Sequence, residues 1–117
     1  GQARMAYDLT LAARIADLLK GQRSAEQKQM FGGVCFLLRG NMCCGVAGKK
    51  LMVRVGKEQY ESVLQEPHAK PMDLTGRPLR GFVFVMPQGV RTRKALKVWV
   101  DLGVRYANSL PAKRKHG

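Results

Sequence analysis

Short apolar runs separated by glycine-containing turns are the feature that most constrains the fold of this chain. The block Met-Phe-Gly-Gly at residues 30–33 leads into the apolar run 34–38, and a second run, 42–46, follows after Arg-Gly-Asn. A third run, 51–55, follows after Ala-Gly-Lys-Lys. Runs of about five apolar residues bounded by Gly and Asn are typical of strands joined by tight turns. The spacing therefore predicts an antiparallel meander of three strands.

Helical periodicity lies on both sides of this meander. Residues 7–20 and 92–108 carry apolar side chains at helical spacing, and Asp8 and Thr92 are placed to cap these two helices. In the last helix the residues expected to face the core are Leu96, Trp99, Gly103 and Tyr106. A shorter pattern over 57–65 predicts a small helix between them.

The remaining segments complete a prediction of fold class. Residues 81–86 read as the strongest strand, 72–74 as a short edge strand, and 24–27 as one turn of helix with capping-box spacing. The predicted order is helix, three strands, helix, one or two strands, helix. This order predicts an α+β two-layer sandwich in which an antiparallel sheet of four to five strands packs on helices.

The strongest strand is apolar on both faces, and one face of a two-layer sheet is normally wetted. We therefore expect Phe82, Phe84 and Met86 to lie on a face covered by a helix of this chain or by a partner, with a homodimer favoured. Residues 5–110 are predicted to form one domain. Residues 1–4 precede Met5 and are interpreted as vector-derived, and residues 111–117 as a basic tail without fixed structure.

Charge gives the main indication of function. The net charge is +13, and residues 77–117 carry ten Lys or Arg against one acid. The cations Arg91, Arg93 and Lys94 begin the last helix, where the helix dipole disfavours positive charge. Such a segment suggests a phosphate contact, although a solvated basic surface is the alternative. The nucleic-acid-binding residues predicted on this basis are Arg91, Arg93, Lys94, Lys97, Lys113, Arg114 and Lys115.

The cysteines favour a reducing, cytoplasmic setting. There are three, without C-x-x-C spacing, so neither a disulfide nor a metal site is predicted. Cys43 and Cys44 are adjacent on a strand and are expected to point to opposite faces, while Cys35 should pair near Gly45. All three are interpreted as buried, inert thiols.

The sequence predicts no catalytic site. His68 lies near Glu66 in the sequence, but a nucleophile such as Ser62 could reach it only through a contact that the sequence does not predict. We therefore expect that the protein is not an enzyme and that it binds no cofactor or small-molecule substrate. Gly32 and Gly33 resemble half of a phosphate-binding loop, but a strand follows them, which favours a structural role. No apolar run reaches the length of a membrane span.

These segments together resemble one known family. Residues 28–34 with their Met30-Phe31-Gly32-Gly33 motif, the meander, residues 81–85 and the ending Ala-Asn-Ser-Leu-Pro at 107–111 resemble the TfoX/Sxy N-terminal domain family. The resemblance implies a sandwich similar to type III secretion chaperones. It also implies a link to natural competence, where full-length members assist a cyclic-AMP-dependent activator at promoters, and no enzymatic activity.

Two departures from that family pattern are visible. Full-length competence regulators carry a second, C-terminal domain that this sequence does not include, and Cys-Cys-Gly at 43–45 stands where larger apolar residues are usual. Two hypotheses follow. One is a transcription co-regulator that contacts DNA or a DNA-bound activator through a basic C-terminal face, and the other is a non-catalytic, chaperone-like protein-binding module.

Overall fold

The predicted apolar runs form neighbouring strands of one antiparallel sheet. A computed structural model describes residues 7–73 and 75–113. In that part of the chain the helices are α1 (Leu9–Leu18), α2 (Lys57–Val63) and α3 (Arg93–Asn108), and a 3-10 turn spans Pro87–Val90. The strands are β1 (Ala25–Met30), β2 (Gly33–Leu38), β3 (Asn41–Ala47), β4 (Lys50–Arg54), β5 (Ala69–Asp73) and β6 (Pro78–Val85). Their order in the sheet is β1-β2-β3-β4-β6-β5, and every neighbouring pair is antiparallel. The α+β sandwich is thus confirmed, with six strands.

The sixth strand is β1, which the sequence did not predict. Residues 24–27 were expected to form a turn of helix, but Ala25–Met30 pairs along its whole length with β2. Ala, Glu, Gln, Lys and Met are better helix formers than strand formers. Pairing with a neighbouring strand overrides that local preference, because β2 supplies a complete row of backbone partners.

The Met-Phe-Gly-Gly motif forms the turn between β1 and β2 and has a structural role in it. Phe31 and Gly32 both have positive φ, +56° and +73°, as a two-residue hairpin turn requires. Gly33 has a different function. A Cβ atom there would collide with the carbonyl oxygen of Val46, so glycine lets β2 approach the backbone of β3.

The three helices cover one face of the sheet. Asp8 caps α1 by accepting hydrogen bonds from the amides of Thr10 and Leu11, at 2.9 and 3.1 Å, and Thr92 caps α3 through the amide of Ala95 at 3.0 Å. Both caps agree with the sequence prediction. The last helix packs closely on β3, since a Cβ at Gly103 would collide with the carbonyl oxygen of Cys43. The inner core contains Ile15, Val34, Leu51, Val53, Val83, Val85, Leu96 and Val100 among others.

Cys43 and Cys44 do not point to opposite faces, contrary to the prediction. Phe36 pairs with Cys44 but Leu37 pairs with Met42, so Cys43 is the extra residue of a β-bulge. The bulge places both thiols in the inner core. The predicted pairing of Cys35 with Gly45 is confirmed.

Side chains of the same chain bury most of the outer face of the sheet, which is the face opposite the helices. The sequence did not predict this burial. Phe84 is only 6% exposed, Phe82 and Met86 are half-buried, and Met52 and Met72 are fully buried. The outer cluster comprises Cys35, Leu37, Met42, Met52, Met72 and Phe84.

An aromatic contact across the outer face contributes to this burial. The ring of Phe31, in the β1–β2 turn, lies 6.4 Å from that of Phe82 on β6 in an edge-to-face contact. Strands β2 and β6 are three positions apart in the sheet, a distance of about 14 Å in a flat sheet. The two side chains thus meet over the intervening strands β3 and β4, and the predicted dimer face is largely interior.

The segment after α3 is anchored, although residues 111–117 were expected to lack fixed structure. The Arg39 guanidinium donates to the carbonyls of Asn108 and Leu110 at the end of α3, at 3.0 and 2.6 Å. The Asn41 amide donates to the carbonyl of Pro111 at 2.9 Å, and the backbone amide of Lys113 donates to the carbonyl of Arg39 at 2.8 Å. The β2–β3 turn thus holds residues up to 113, whereas residues 114–117 lie outside the described part.

Candidate nucleic-acid interface

Two of the cations predicted at the start of α3 are paired with the protein's own carboxylates. Arg93 donates to Asp17 on α1 at 2.7 Å, and Lys97 donates to Asp101 one turn further along α3 at 2.8 Å. The hydrogen bond from Arg93, followed by that from Lys20, lowers the pKa of Asp17 below its ordinary value of 3.8. These pairs reduce the positive charge at the start of the helix.

The other predicted cations do not form one cluster. Arg91 and Lys94 are exposed, and neither has a carboxylate partner in the described part of the chain. Lys113 lies beyond the far end of α3, and a helix of 16 residues is about 24 Å long. Arg114 and Lys115 lie outside the described residues. The cations of the predicted basic C-terminal face are therefore divided between the two ends of α3.

A denser group of cations lines an open groove of about 610 Å³. The groove lies between the β4–α2 connection, the start of the apolar part of β6 and the second half of α3. Among the described residues that line it, Glu58 is the only acid, against four cations. The cations are Arg54, Lys57, Arg80 and Arg105, and they are accompanied by the rings of Phe82 and Tyr106.

Two glycines shape the floor of this groove. The backbone amides of Val55 and Gly56 both donate to the carbonyl of Gly81, at 2.8 and 3.0 Å. Gly56 has φ +88°, and a Cβ atom there would collide with the ring of Tyr106. The glycines therefore bring β4, β6 and α3 together, and the cations on these three elements converge as a result.

The groove cations differ in how firmly they are held. The guanidinium of Arg54 lies 5.4 Å from the ring centroid of Phe82 and 5.3 Å from that of Tyr106, so two aromatic contacts fix its position. Arg80 lies 5.4 Å from the ring of Tyr60 and 3.6 Å from the carboxylate of Glu61, in a pair that is solvent-exposed and therefore weak.

Lys57 and Arg105 are groove cations that are exposed and not engaged in an ion pair within the described residues. A surface that combines a fixed guanidinium with free cations and few acids is suited to binding anionic groups such as phosphates.

Sequence reasoning missed this groove because its residues are far apart in the chain. The one available signal was Arg54, a cation in the run 51–55 whose other residues are apolar. Its meeting with Arg80 and Arg105 depends on the pairing of β4 with β6 and on the position of α3.

The residues considered for catalysis, Ser62 and His68, have other neighbours. The Ser62 hydroxyl donates to the carbonyl of Gln59 at 3.1 Å, and the His68 side chain packs beside Gly89. Among residues 7–73 and 75–113 no three His, Cys, Asp or Glu side chains lie close enough to hold a metal ion. No helix in the same residues has the length and apolar character needed to span a membrane.

We expect the thiols to be inert in the folded protein. We also expect them to make its free energy of unfolding depend on pH. Burial raises the pKa of Cys35 from 9.0 to about 11, and a hydrogen bond with Cys43 that stabilises the protonated thiol, together with burial, raises the pKa of Cys44. Since the unfolded chain releases these protons near pH 9, their contribution to stability is complete below pH 9 and is lost as pH rises toward 11. We expect the guanidinium unfolding midpoint to fall between pH 8 and pH 10.5.

Labelling with maleimide at pH 7.5 provides the independent readout of thiol burial. The native protein should react at least about a hundredfold more slowly than the chain in guanidinium chloride, because thiolate is scarce and buried. Rapid native labelling of any cysteine would show that the bulge region opens readily.

Comparison with known proteins identifies a family. The family model of the TfoX N-terminal domain matches residues 17–107 of the 117-residue chain. No curated protein and no solved structure matches. The matched region runs from the end of α1 almost to the end of α3, so it includes all six strands and every residue that lines the groove except Ser109. The chain therefore belongs to the TfoX N-terminal domain family.

Proposed function

We propose that this protein is a non-catalytic regulator of competence-type genes that contacts DNA phosphates through the groove formed by β4, α2, β6 and α3. Membership of the TfoX N-terminal domain family suggests the competence-related role. The observation that carries the DNA contact is the convergence of Arg54, Lys57, Arg80 and Arg105 around one groove, whose described lining includes one acid, Glu58.

The distribution of acids supports this proposal. Of the eight acidic residues in the chain, Asp8 caps a helix, Asp73 accepts from the amide of Gly76, and Asp17, Glu61 and Asp101 form ion pairs. Glu61 is the one among these that engages a groove cation, Arg80, so within the described residues Arg54, Lys57 and Arg105 have no ion-pair partner, and a polyanion would gain by releasing its counterions there. The groove cations suit contacts with phosphates, so the proposed contact is to the backbone of DNA rather than to bases.

The test compares two pairs of exposed cations that have equal charge but different positions. Binding of the protein to fluorescent duplex DNA is measured by anisotropy between about 50 and about 200 mM salt. The variant Lys57→Ala with Arg105→Ala removes two cations from the groove, and we expect its affinity to fall about tenfold and the slope of log K against log salt to decrease by about two.

The variant Arg91→Ala with Lys94→Ala is the matched control, since it lowers the net charge equally at the start of α3. We expect it to change affinity by less than about threefold. Equal losses in both variants would indicate attraction by net charge alone and would contradict the groove as the interface. A loss of affinity in the control variant alone would indicate that DNA binds at the start of α3 and not at the groove.

A further inference from the structure

We propose that two copies of this chain pair antiparallel through β1, along a two-fold axis at Gln27, and form one continuous sheet. Strand β1 is an edge of the sheet, with β2 as its neighbour within the described residues. An edge strand presents unpaired amides and carbonyls that can accept another strand. The proposal does not depend on the proposed contact with DNA.

The two edges of the sheet differ in a way that favours β1. At the other edge, β5 contains Pro71, which has no amide proton, and its pairing with β6 shifts in register between Pro71 and Asp73. Proline and bulges are features that block edge-to-edge pairing. By contrast, β1 pairs with β2 without a register shift from Ala25 to Met30, so its free edge is regular.

The hairpin turn determines which residues of β1 direct their backbone groups outward. Met30 and Gly33 flank a two-residue turn, and such flanking residues exchange backbone hydrogen bonds. Hydrogen-bonded and non-hydrogen-bonded pairs alternate along an antiparallel ladder. Lys28 and Glu26 therefore bond to β2, whereas Ala25, Gln27 and Gln29 turn their amides and carbonyls toward the open edge. Ala25, Gln27 and Gln29 are all exposed.

A second copy satisfies this edge in one particular register. When Gln27 lies opposite Gln27 of the second copy, Ala25 lies opposite Gln29, and these outward residues become hydrogen-bonded pairs across the axis. The same register places Glu26 opposite Lys28, twice in the dimer and in the closely spaced, non-hydrogen-bonded pairs. Opposite charges at such positions stabilise a sheet, and like charges destabilise it. Shifting the register by one residue loses this match.

Charge exchange tests both the dimer and its register. The dissociation constant of the full chain is measured by sedimentation equilibrium at about 150 mM salt, where charge repulsion between copies is screened. Glu26→Lys and Lys28→Glu each place like charges opposite one another, and we expect either change to raise the dissociation constant about tenfold. The double variant with both changes restores opposite charges and should return it to within about threefold of the original.

Gln27→Pro is the second, independent variant. It removes an amide that faces the open edge but leaves the bonds between β1 and β2, so circular dichroism should be unchanged while dimerisation is lost. A chain that remains monomeric at all concentrations would overturn the proposal. A dimer that is insensitive to both single charge changes and to Gln27→Pro would also overturn it, and would place the contact elsewhere, such as at the face that includes Phe82.

Discussion

Replacing Gly33 with alanine is expected to destabilise the protein by about 3 kcal/mol or more, because the added methyl group would meet a backbone carbonyl that cannot move aside. The Cβ position at Gly33 collides with the carbonyl oxygen of Val46 and lies 3.1 Å from the Cα of Ala47. Relief would require β2 and β3 to separate at the start of their ladder. Thermal unfolding followed by circular dichroism should show a melting temperature lowered by about 10 °C or more.

Two neighbouring glycines provide graded controls for this prediction. Gly21 has no positive φ and no atom within 4 Å of the position that an added methyl group would occupy, so Gly21→Ala should change stability by less than about 0.5 kcal/mol. Gly32 also has open space but has φ +73°, so Gly32→Ala should cost about 1 kcal/mol through backbone strain alone. If Gly33→Ala folds with the stability of the Gly21 variant, close approach of the strands is not what requires glycine in this motif.

The features that could be predicted from the sequence are those with a local physical cause. Side-chain caps act within three residues, so Asp8 and Thr92 located the starts of α1 and α3 correctly. The turn at Arg39 and Gly40 likewise followed from local composition, and its position gave the correct pairing of Cys35 with Gly45. The family resemblance was confirmed by the match over residues 17–107.

The features that were missed arise from contacts between distant segments. Strand β1 is built from residues that favour helix, and only the neighbouring β2 makes it a strand. The bulge at Cys43 depends on how β2 and β3 align, and the alternation of side chains along a single strand does not indicate that alignment. The pairing of Arg93 with Asp17 joins residues 76 positions apart, so the charge expected at the start of α3 could not be corrected from the sequence.

Truncation of Met52 to alanine is expected to cost about 3 kcal/mol, because the outer face of the sheet is a second core. Met52 is fully buried between Gly45 and Phe84 on the neighbouring strands, and its Cε lies 2.9 Å from the position that a Cβ would occupy at Gly45. Deleting a fully buried methionine side chain removes apolar contacts and leaves a cavity, which typically costs about 2–5 kcal/mol. Urea unfolding of the variant should show a lower midpoint with an unchanged slope.

Val98→Ala is the matched control, since Val98 on α3 is apolar but 58% exposed and should cost less than about 0.5 kcal/mol. The comparison separates two views of the outer face. If the outer face were open in the monomer and covered only by a partner, truncating Met52 would cost the protein little stability at concentrations too low for dimerisation. If the side chains of one copy bury the face, the truncation costs stability at every concentration. The edge-to-face contact of Phe31 with Phe82 and the position of Lys50, 4.5 Å from the ring centroid of Phe84, favour the second result.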